Sequence, residues 1–276
     1  YAYDKLYVID ANLLDITLSK EIMIGENRFP GRDYGSRNPT IEINGAAGHI
    51  ARWPDNGYME VKSVISDGNV GNDAEDPDGA EFELYQDRMK YWKSDTAYMY
   101  GRYKTGWQDQ TLPIVSTDVE KKSVKTSDPP KSGINKDAVS VYFYNIFEEI
   151  SQSGEYYADV SNNKIYFCAD SIDNLRLIKL KEPLLELENV SNVTFSNITF
   201  DGALNNGITL SNCTNILFEN CTVKNIGAKA AVFDDDCKNC GMRASSFNNV
   251  FDGIYIGGGN FETLTSGNNF IENCII

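Results

Sequence analysis

Two sets of short apolar runs return at a fixed interval in the last third of the chain, and this repeat restricts the fold more than any other feature. The first set is Leu184-Leu185-Glu186-Leu187, Gly207-Ile208-Thr209-Leu210, Ala230-Ala231-Val232-Phe233 and Gly253-Ile254-Tyr255-Ile256, each starting 23 residues after the one before. The second set starts at Phe195, Phe218 and Met242, in steps of 23 and 24, and returns at Ile271 after 29 residues, as an insertion at one corner would cause. Alternate residues of a strand share a face. Leu185, Ile208, Ala231 and Ile254 should therefore stack in one inward column, Leu187, Leu210, Phe233 and Ile256 in a second, and Phe200, Val223 and Phe247 in a third. One coil cannot bury its own interior, so coils must stack, each strand pairing in parallel with its copy about 4.8 Å along the axis. The expected fold of 184–276 is a right-handed parallel β-helix about four coils deep.

Asparagine agrees with this reading. Asn192, Asn215 and Asn239 recur at one place in successive coils. Asn tolerates left-handed turns, and stacked amides can bond to one another as a ladder. The same repeat generates N-x-Ser/Thr triplets such as Asn192-Val-Thr194, which need no glycosylation to explain them. The six cysteines include Cys237-Lys-Asn-Cys240, the spacing of half a zinc site, but there is no second such pair and the one histidine, His49, is remote in sequence. Most of the cysteines fall at repeat positions and are expected as small buried residues, with no metal.

The formal charge of −15 argues against nucleic acid and against an anionic membrane surface. A polyanionic glycan would be repelled unless a basic groove or Ca²⁺ intervened. No apolar stretch is long enough for a membrane span. The opening residues, YAYDKLYVID, read as the interior of a longer chain whose signal peptide is absent, so a secreted or cell-surface bacterial protein is expected.

Upstream the character changes. All but one of the 16 Tyr, and all 3 Trp, precede the repeat. Strands alternate at Thr40-Ile-Glu-Ile-Asn44, Tyr58-Met-Glu-Val-Lys62, Val139-Ser-Val-Tyr-Phe-Tyr144, Tyr156-Tyr-Ala-Asp-Val160 and Lys164-Ile-Tyr-Phe167, separated by turns such as Asn44-Gly45 and Asn56-Gly57. The chain reads as all-β: first β-helix strands in 1–39 (at Lys5 to Ile9 and Leu14 to Leu18), an inserted β-sandwich-like subdomain over 40–170, and parallel β-helix coils over 171–276, truncated at their C-terminal end. Asp67 to Asp78 and Lys121 to Lys136 read as loops.

Ala51-Arg-Trp-Pro-Asp-Asn-Gly-Tyr58, Trp107-Gln-Asp109, Asn145-Ile-Phe-Glu-Glu149, Gly154-Glu-Tyr-Tyr157 and Lys164-Ile-Tyr-Phe167 are similar to a pattern in bacterial right-handed β-helix carbohydrate-active proteins. The chain resembles glycoside hydrolase family 141 and its relatives over nearly its whole length. The resemblance implies that the first motif opens a β-sandwich inserted in the helix, a hairpin closes it, and Asn-rich coils follow. It also implies that catalytic carboxylates come from later coils, beyond Ile276.

Within the chain, glycosidic hydrolysis would need two carboxyl groups, one as acid and one as base or nucleophile. The best cluster is Asp234-Asp235-Asp236, just after the third apolar run, where the equivalent residues in other coils are Glu188, Ser211 and Gly257; Asp252 is expected one coil away. Neighbouring like charges raise one another's pKa, as an acid catalyst requires. The bland alternative is a solvated turn, with Ca²⁺ as its possible occupant. Gly257-Gly258-Gly259 is a flexible corner and lacks the lysine and helix of a phosphate loop. A serine triad is disfavoured because the one histidine lies in the inserted region. Trp53 and Trp92, like most of the aromatics, are expected in the sandwich core. The stretch from Tyr98 to Trp107 is the expected exposed aromatic surface, with Arg102, Tyr103 and Trp107 as substrate-binding residues.

These features point to a polysaccharide or oligosaccharide as partner and, first, to a glycoside hydrolase. A polysaccharide lyase is the alternative, disfavoured by the few cations in the coils. A non-catalytic glycan-binding or structural module is the third. Fold alone does not decide among them.

Overall fold

A computed structural model describes residues 5–19, 40–68, 78–106, 109–234 and 236–276. The chain divides into two compact units, Tyr1–Leu175 and Arg176–Ile276. Strands dominate both, with only short 3-10 turns at Ala11–Leu14, Arg88–Tyr91 and Phe147–Glu149 among the described residues. No helix in them is long and apolar enough to cross a membrane.

The second unit is the parallel coil stack. Leu185 pairs with Ile208, Ile208 with Ala231 and Ala231 with Ile254. Leu187, Leu210, Phe233 and Ile256 follow in the same register, and Phe200, Val223 and Phe247 form the third column. Phe195, Phe218, Met242 and Ile271 line the opposite sheet. The interior is a continuous apolar cluster in which Ile208, Leu210, Phe218, Val223, Phe233 and Met242 are fully excluded from water. Phe195 lies flat on Phe218, with ring centroids 4.9 Å apart. The extra residues before Ile271 form a small corner loop closed by a bridge between Asn260 and Thr265. The stack amounts to about three turns rather than the expected four, because the last rung holds only Ile254, Ile256, the short strand Phe270–Glu272 and a single bridge at Ile275.

Asparagines hold the corners. Asn189, Asn192, Asn197, Asn212, Asn215, Asn220, Asn225 and Asn249 all have left-handed φ between 48° and 62°. Side-chain amides bond from coil to coil: Asn212 Nδ2 donates to Asn189 Oδ1 (2.5 Å), Asn215 to Asn192 (2.9 Å) and Asn249 to Asn225 (2.8 Å), and Asn220 donates to Asn197. The cysteines fill the inside of other corners. Cys213, Cys221, Cys237 and Cys240 are buried, and the thiols of Cys213, Cys221 and Cys240 donate to carbonyls of Leu187, Phe195 and Cys213 one coil back.

One charged cluster bridges three coils. Arg176 Nη1 and Nη2 donate to the two carboxylate oxygens of Asp201 (2.8 and 2.6 Å), Asn225 Nδ2 donates to the same group (2.8 Å), and Lys224 Nζ lies 3.3 Å away. The Arg176 hydrogen bonds, reinforced by Asn225 and Lys224, hold the Asp201 carboxyl at about 2, below its ordinary 3.8. A depressed carboxyl pKa stabilises the fold fully above the unfolded value, and that stabilisation is lost as pH falls through the folded value. Asp201→Asn should therefore cost about 2 kcal/mol at neutral pH. Urea unfolding should show the deficit shrinking below about pH 4 and vanishing near about pH 2.

Among the described residues the first unit contains an eight-stranded sheet, a smaller four-stranded sheet and the hairpin of Thr40–Ile43 with Ala46–Ala47. In the larger, Asp109–Asp118 serves both halves: Asp109 to Pro113 pair with Tyr98–Arg102, and, past a bulge after Ile114, the remainder pairs with Ser123–Thr126. The sheet thereby folds over a core of Phe82, Met99, Leu112, Val124, Val141 and Phe143, which is the expected sandwich. Leu6–Asp10, expected among the first coil strands, instead joins the smaller sheet, antiparallel to Lys164–Cys168, next to Glu155–Asp159 and His49–Ile50. The chain then turns: Asp10 Oδ1 accepts from Asn12 N–H and caps the 3-10 turn Ala11–Leu14, so the second expected strand does not form there. Residues 20–39 lie outside the described residues.

Buried polar side chains knit this unit. Asn145, fully buried at φ +57°, donates to the carbonyls of Thr96 (2.8 Å) and Ala158 (3.2 Å) and accepts from Ala158 N–H (2.9 Å). Glu149, 2% exposed, accepts from Arg88 Nε and Nη2 and from Trp92 Nε1.

Candidate functional site

The inward columns of the coils force the intervening residues outward. In the sheet that begins with Leu185–Glu188, one outward column runs Glu186, Thr209, Val232 and Tyr255, and the next runs Glu188, Ser211 and Asp234. Gly257 continues the second column, its N–H donating to Phe233 O (2.7 Å) as Asp234 N–H donates to Leu210 O (2.9 Å). The result is a wall of carboxylates and hydroxyls with a single aromatic ring. Glu186, Glu188 and Asp234 are exposed. Thr209 Oγ1 is buried with no hydrogen-bond partner. A Cβ at Gly257 would lie 3.4 Å from Tyr255 Cε1 and 3.5 Å from its hydroxyl, so the ring leans over Gly257, toward the column that carries Asp234.

The predicted acidic residues separate on this frame. Asp234 stands on the wall. Asp236 turns away at the corner: its φ is +59°, its N–H donates to Gly259 O (2.8 Å), and its Oδ1 accepts from Asn260 Nδ2 (2.9 Å). Asp235 lies outside the described residues. Asp252 is not brought to the triplet. It pairs with Lys229, five positions before Asp234 along the strand, roughly 16 Å away at about 3.3 Å per residue, and its Oδ1 accepts from Gly253 N–H (2.9 Å). Among the described residues no group of three or more His, Cys, Asp or Glu could hold a metal ion.

The aromatic surface expected from Tyr98 to Trp107 also resolves by alternation. Met99 and Gly101 face the core, while Tyr98, Tyr100 and Arg102 face away from it. Tyr103 is corrected to a core residue: it continues the inward set of Met99 and Gly101, is 3% exposed, packs 5.8 Å from Phe82, and donates its hydroxyl to Met99 O (3.0 Å). Burial drives its phenol pKa upward. Trp107 lies outside the described residues. Arg102 stays near the surface, its guanidinium 5.0 Å above the ring of Tyr58. Tyr58 in turn covers Tyr100 and Tyr142, and Arg52 lies 3.5 Å over Tyr142. This layer is mostly buried, and burial pushes the Tyr98 phenol up to about 12.

Sequence reasoning missed Tyr255, Glu188 and Tyr58 as surface features. Applying the alternation rule outward, as well as inward, would have found the first two. Tyr58 is placed by long-range pairing that no local pattern reveals.

Residues 133–275 match the family described as "Right handed beta helix region", and the chain belongs to that family. Among curated proteins nothing matches. A solved structure described as "Glycoside hydrolase" superposes with a TM-score of 0.52 at 12% identity, covering 91% of this chain and 57% of its own. The chain thus spans little more than half the length of that neighbour, and the likeness is one of fold. A tailspike protein, gp49 from Pseudomonas phage LKA1, aligns over 82% of this chain and 34% of its own at 9% identity, with a TM-score of 0.24.

Proposed function

We propose that the chain is a carbohydrate-active β-helix protein that hydrolyses a neutral plant or host polysaccharide, with Glu188 and Asp234 as its two carboxyl groups. The observation that carries this is their place in one outward column, two rungs apart with only Ser211 between them. Two strand spacings give roughly 9.6 Å. That is close to the ~6.5–9.5 Å at which inverting glycosidases leave room for a water between acid and base. Tyr255, leaning over Gly257 beside Asp234, supplies a face on which a sugar ring can stack. A wall of carboxylates favours a neutral glycan over a uronate. A polysaccharide would be met outside the cell, so a secreted or cell-surface location belongs to the same proposal.

Lyase chemistry is less well supported, because the coils carry few cations and three of them are held in ion pairs by carboxylates: Arg176 and Lys224 by Asp201, Arg243 by Glu219 and Glu272. One observation favours a second reading, glycan binding without cleavage: Glu188 and Asp234 are both exposed, and a catalytic acid is usually desolvated. Reducing-end release from a panel of neutral polysaccharides separates the two. Asp234→Asn and Glu188→Gln should each lower turnover by roughly a hundredfold with the fold retained. Turnover unchanged in both variants would remove these residues from the mechanism, and retention of glycans without release would favour the binding module.

A further inference from the structure

The first unit holds a cleft of about 370 Å³ lined by Ile43, Asn44, Ala46, Ala47, His49, Ser153, Gly154, Asp170 and Ser171. That volume falls in the ~300–1,000 Å³ range of small-ligand sites. Its walls are fixed by the backbone. Asn44, at φ +53°, turns the hairpin, and its side chain clamps the facing loop, accepting from Asp173 and Asn174 N–H (2.8 and 2.9 Å) and donating to Ser171 O (3.0 Å). His49 and Gly154 also line the space, with Gly48 just before His49 in the chain. His49 N–H donates to Gly154 O (3.0 Å), and a Cβ at Gly48 would come within 2.5 Å of Ile41, so only glycine allows this approach.

His49 is the chain's one histidine, and it stands directly across from Glu155 on the neighbouring parallel strand. Glu155 is fully buried, and its Oε2 accepts from Ser151 N–H (2.6 Å) and Gln152 N–H (3.0 Å). Its Oε1 lies 4.0 Å from His49 Nε2. The buried carboxylate thus backs a half-exposed imidazole whose other edge lies over Gly154, at the cleft. The remaining polar groups are the hydroxyls of Ser153 and Ser171 and the carboxylate of Asp170. Among the described residues no lysine or arginine lines the space, the nearby Lys5 Nζ being committed to the Asp170 carbonyl (2.5 Å), and two carboxylates stand at the cleft or behind it.

We propose that this cleft binds a neutral, hydroxyl-rich ligand of one or two sugar units. Imidazole, hydroxyl and carboxylate all exchange hydrogen bonds with ligand hydroxyls. The carboxylates oppose a uronate or a phosphate, and the alanines leave an apolar floor for the ring carbons. The inference stands on the first unit alone and does not depend on the wall chemistry.

A single histidine gives a single imidazole Cε1–H resonance, which makes the test direct. Proton NMR of the intact chain would be followed during titration with glucose, galactose, cellobiose and lactose, and with glucosamine and galacturonate as charged controls. The expected result is a saturable shift of the His49 signal with at least one neutral sugar. It should be lost in Ala47→Trp, where an exposed hairpin residue fills the cleft, and weakened several-fold in Ser171→Ala, which serves alone if the tryptophan variant does not fold. No saturable shift with the neutral sugars, a response confined to the charged ones, or a shift unaltered in the variants would overturn the proposal. The readout involves no turnover, so its failure leaves the wall proposal standing, and the reverse holds too.

Discussion

Phe218→Ala is expected to destabilise the coil unit by about 3–5 kcal/mol. Phe218 is fully buried in the second coil, stacked on Phe195 at 4.9 Å with an interplanar angle of 9° and edge-on to Phe200 at 6.0 Å. It also pairs with Met242 in the next coil. Its loss therefore weakens the contacts on both sides of one rung, and in a stack whose stability is a sum of neighbour terms both interfaces suffer at once. Phe195→Ala, in the first described coil and only partly buried, should cost about half as much. Urea unfolding followed by far-ultraviolet circular dichroism would read both. Equal losses, or a Phe218 effect below about 1 kcal/mol, would mean that the columns do not carry the stability of the unit.

The second large effect is expected at Glu149. Removing one partner of a buried ion pair typically costs about 3–5 kcal/mol, because the other is stranded. Glu149→Ala should fall at the low end, about 3 kcal/mol, because Arg88 is 44% exposed and can rehydrate whereas the indole N–H of Trp92 loses its acceptor. Glu149→Gln keeps one acceptor and should cost roughly half of that. Tryptophan fluorescence during urea unfolding is a local reporter, since Trp92 donates to Glu149 and its ring meets Trp53 edge-on at 6.0 Å. A variant as stable as the parent would show that the motif around Asn145 to Glu149 marks something other than a structural staple.

The coils were legible in the sequence because their signal is local twice over. Alternation assigns each residue to a face, and a constant interval sets the register between strands, so columns such as Leu185, Ile208, Ala231 and Ile254 could be written down before any coordinates. The same register puts Asp252 one coil on, as expected, but beside Lys229, five positions along the strand from Asp234, and alternation alone gives no such offset. Tyr103 continues the inward set of Met99 and Gly101, so alternation carries it into the core despite the aromatic stretch around it. In the first unit the strands were visible but their partners were not. Asp109–Asp118 serves two half-sheets through a bulge, Glu149 finds Arg88 61 residues away, and the His49 cleft is assembled from three separated segments. Such long-range pairings leave no periodic trace.

The outer wall of the coils is where function is proposed to reside, and a crystal of the chain soaked with neutral oligosaccharides examines it directly. A sugar ring stacked on Tyr255, with hydroxyl or glycosidic oxygens within hydrogen-bond reach of Asp234 and Glu188, is the expected result. Oligosaccharide bound elsewhere on the chain with this wall bare would contradict it.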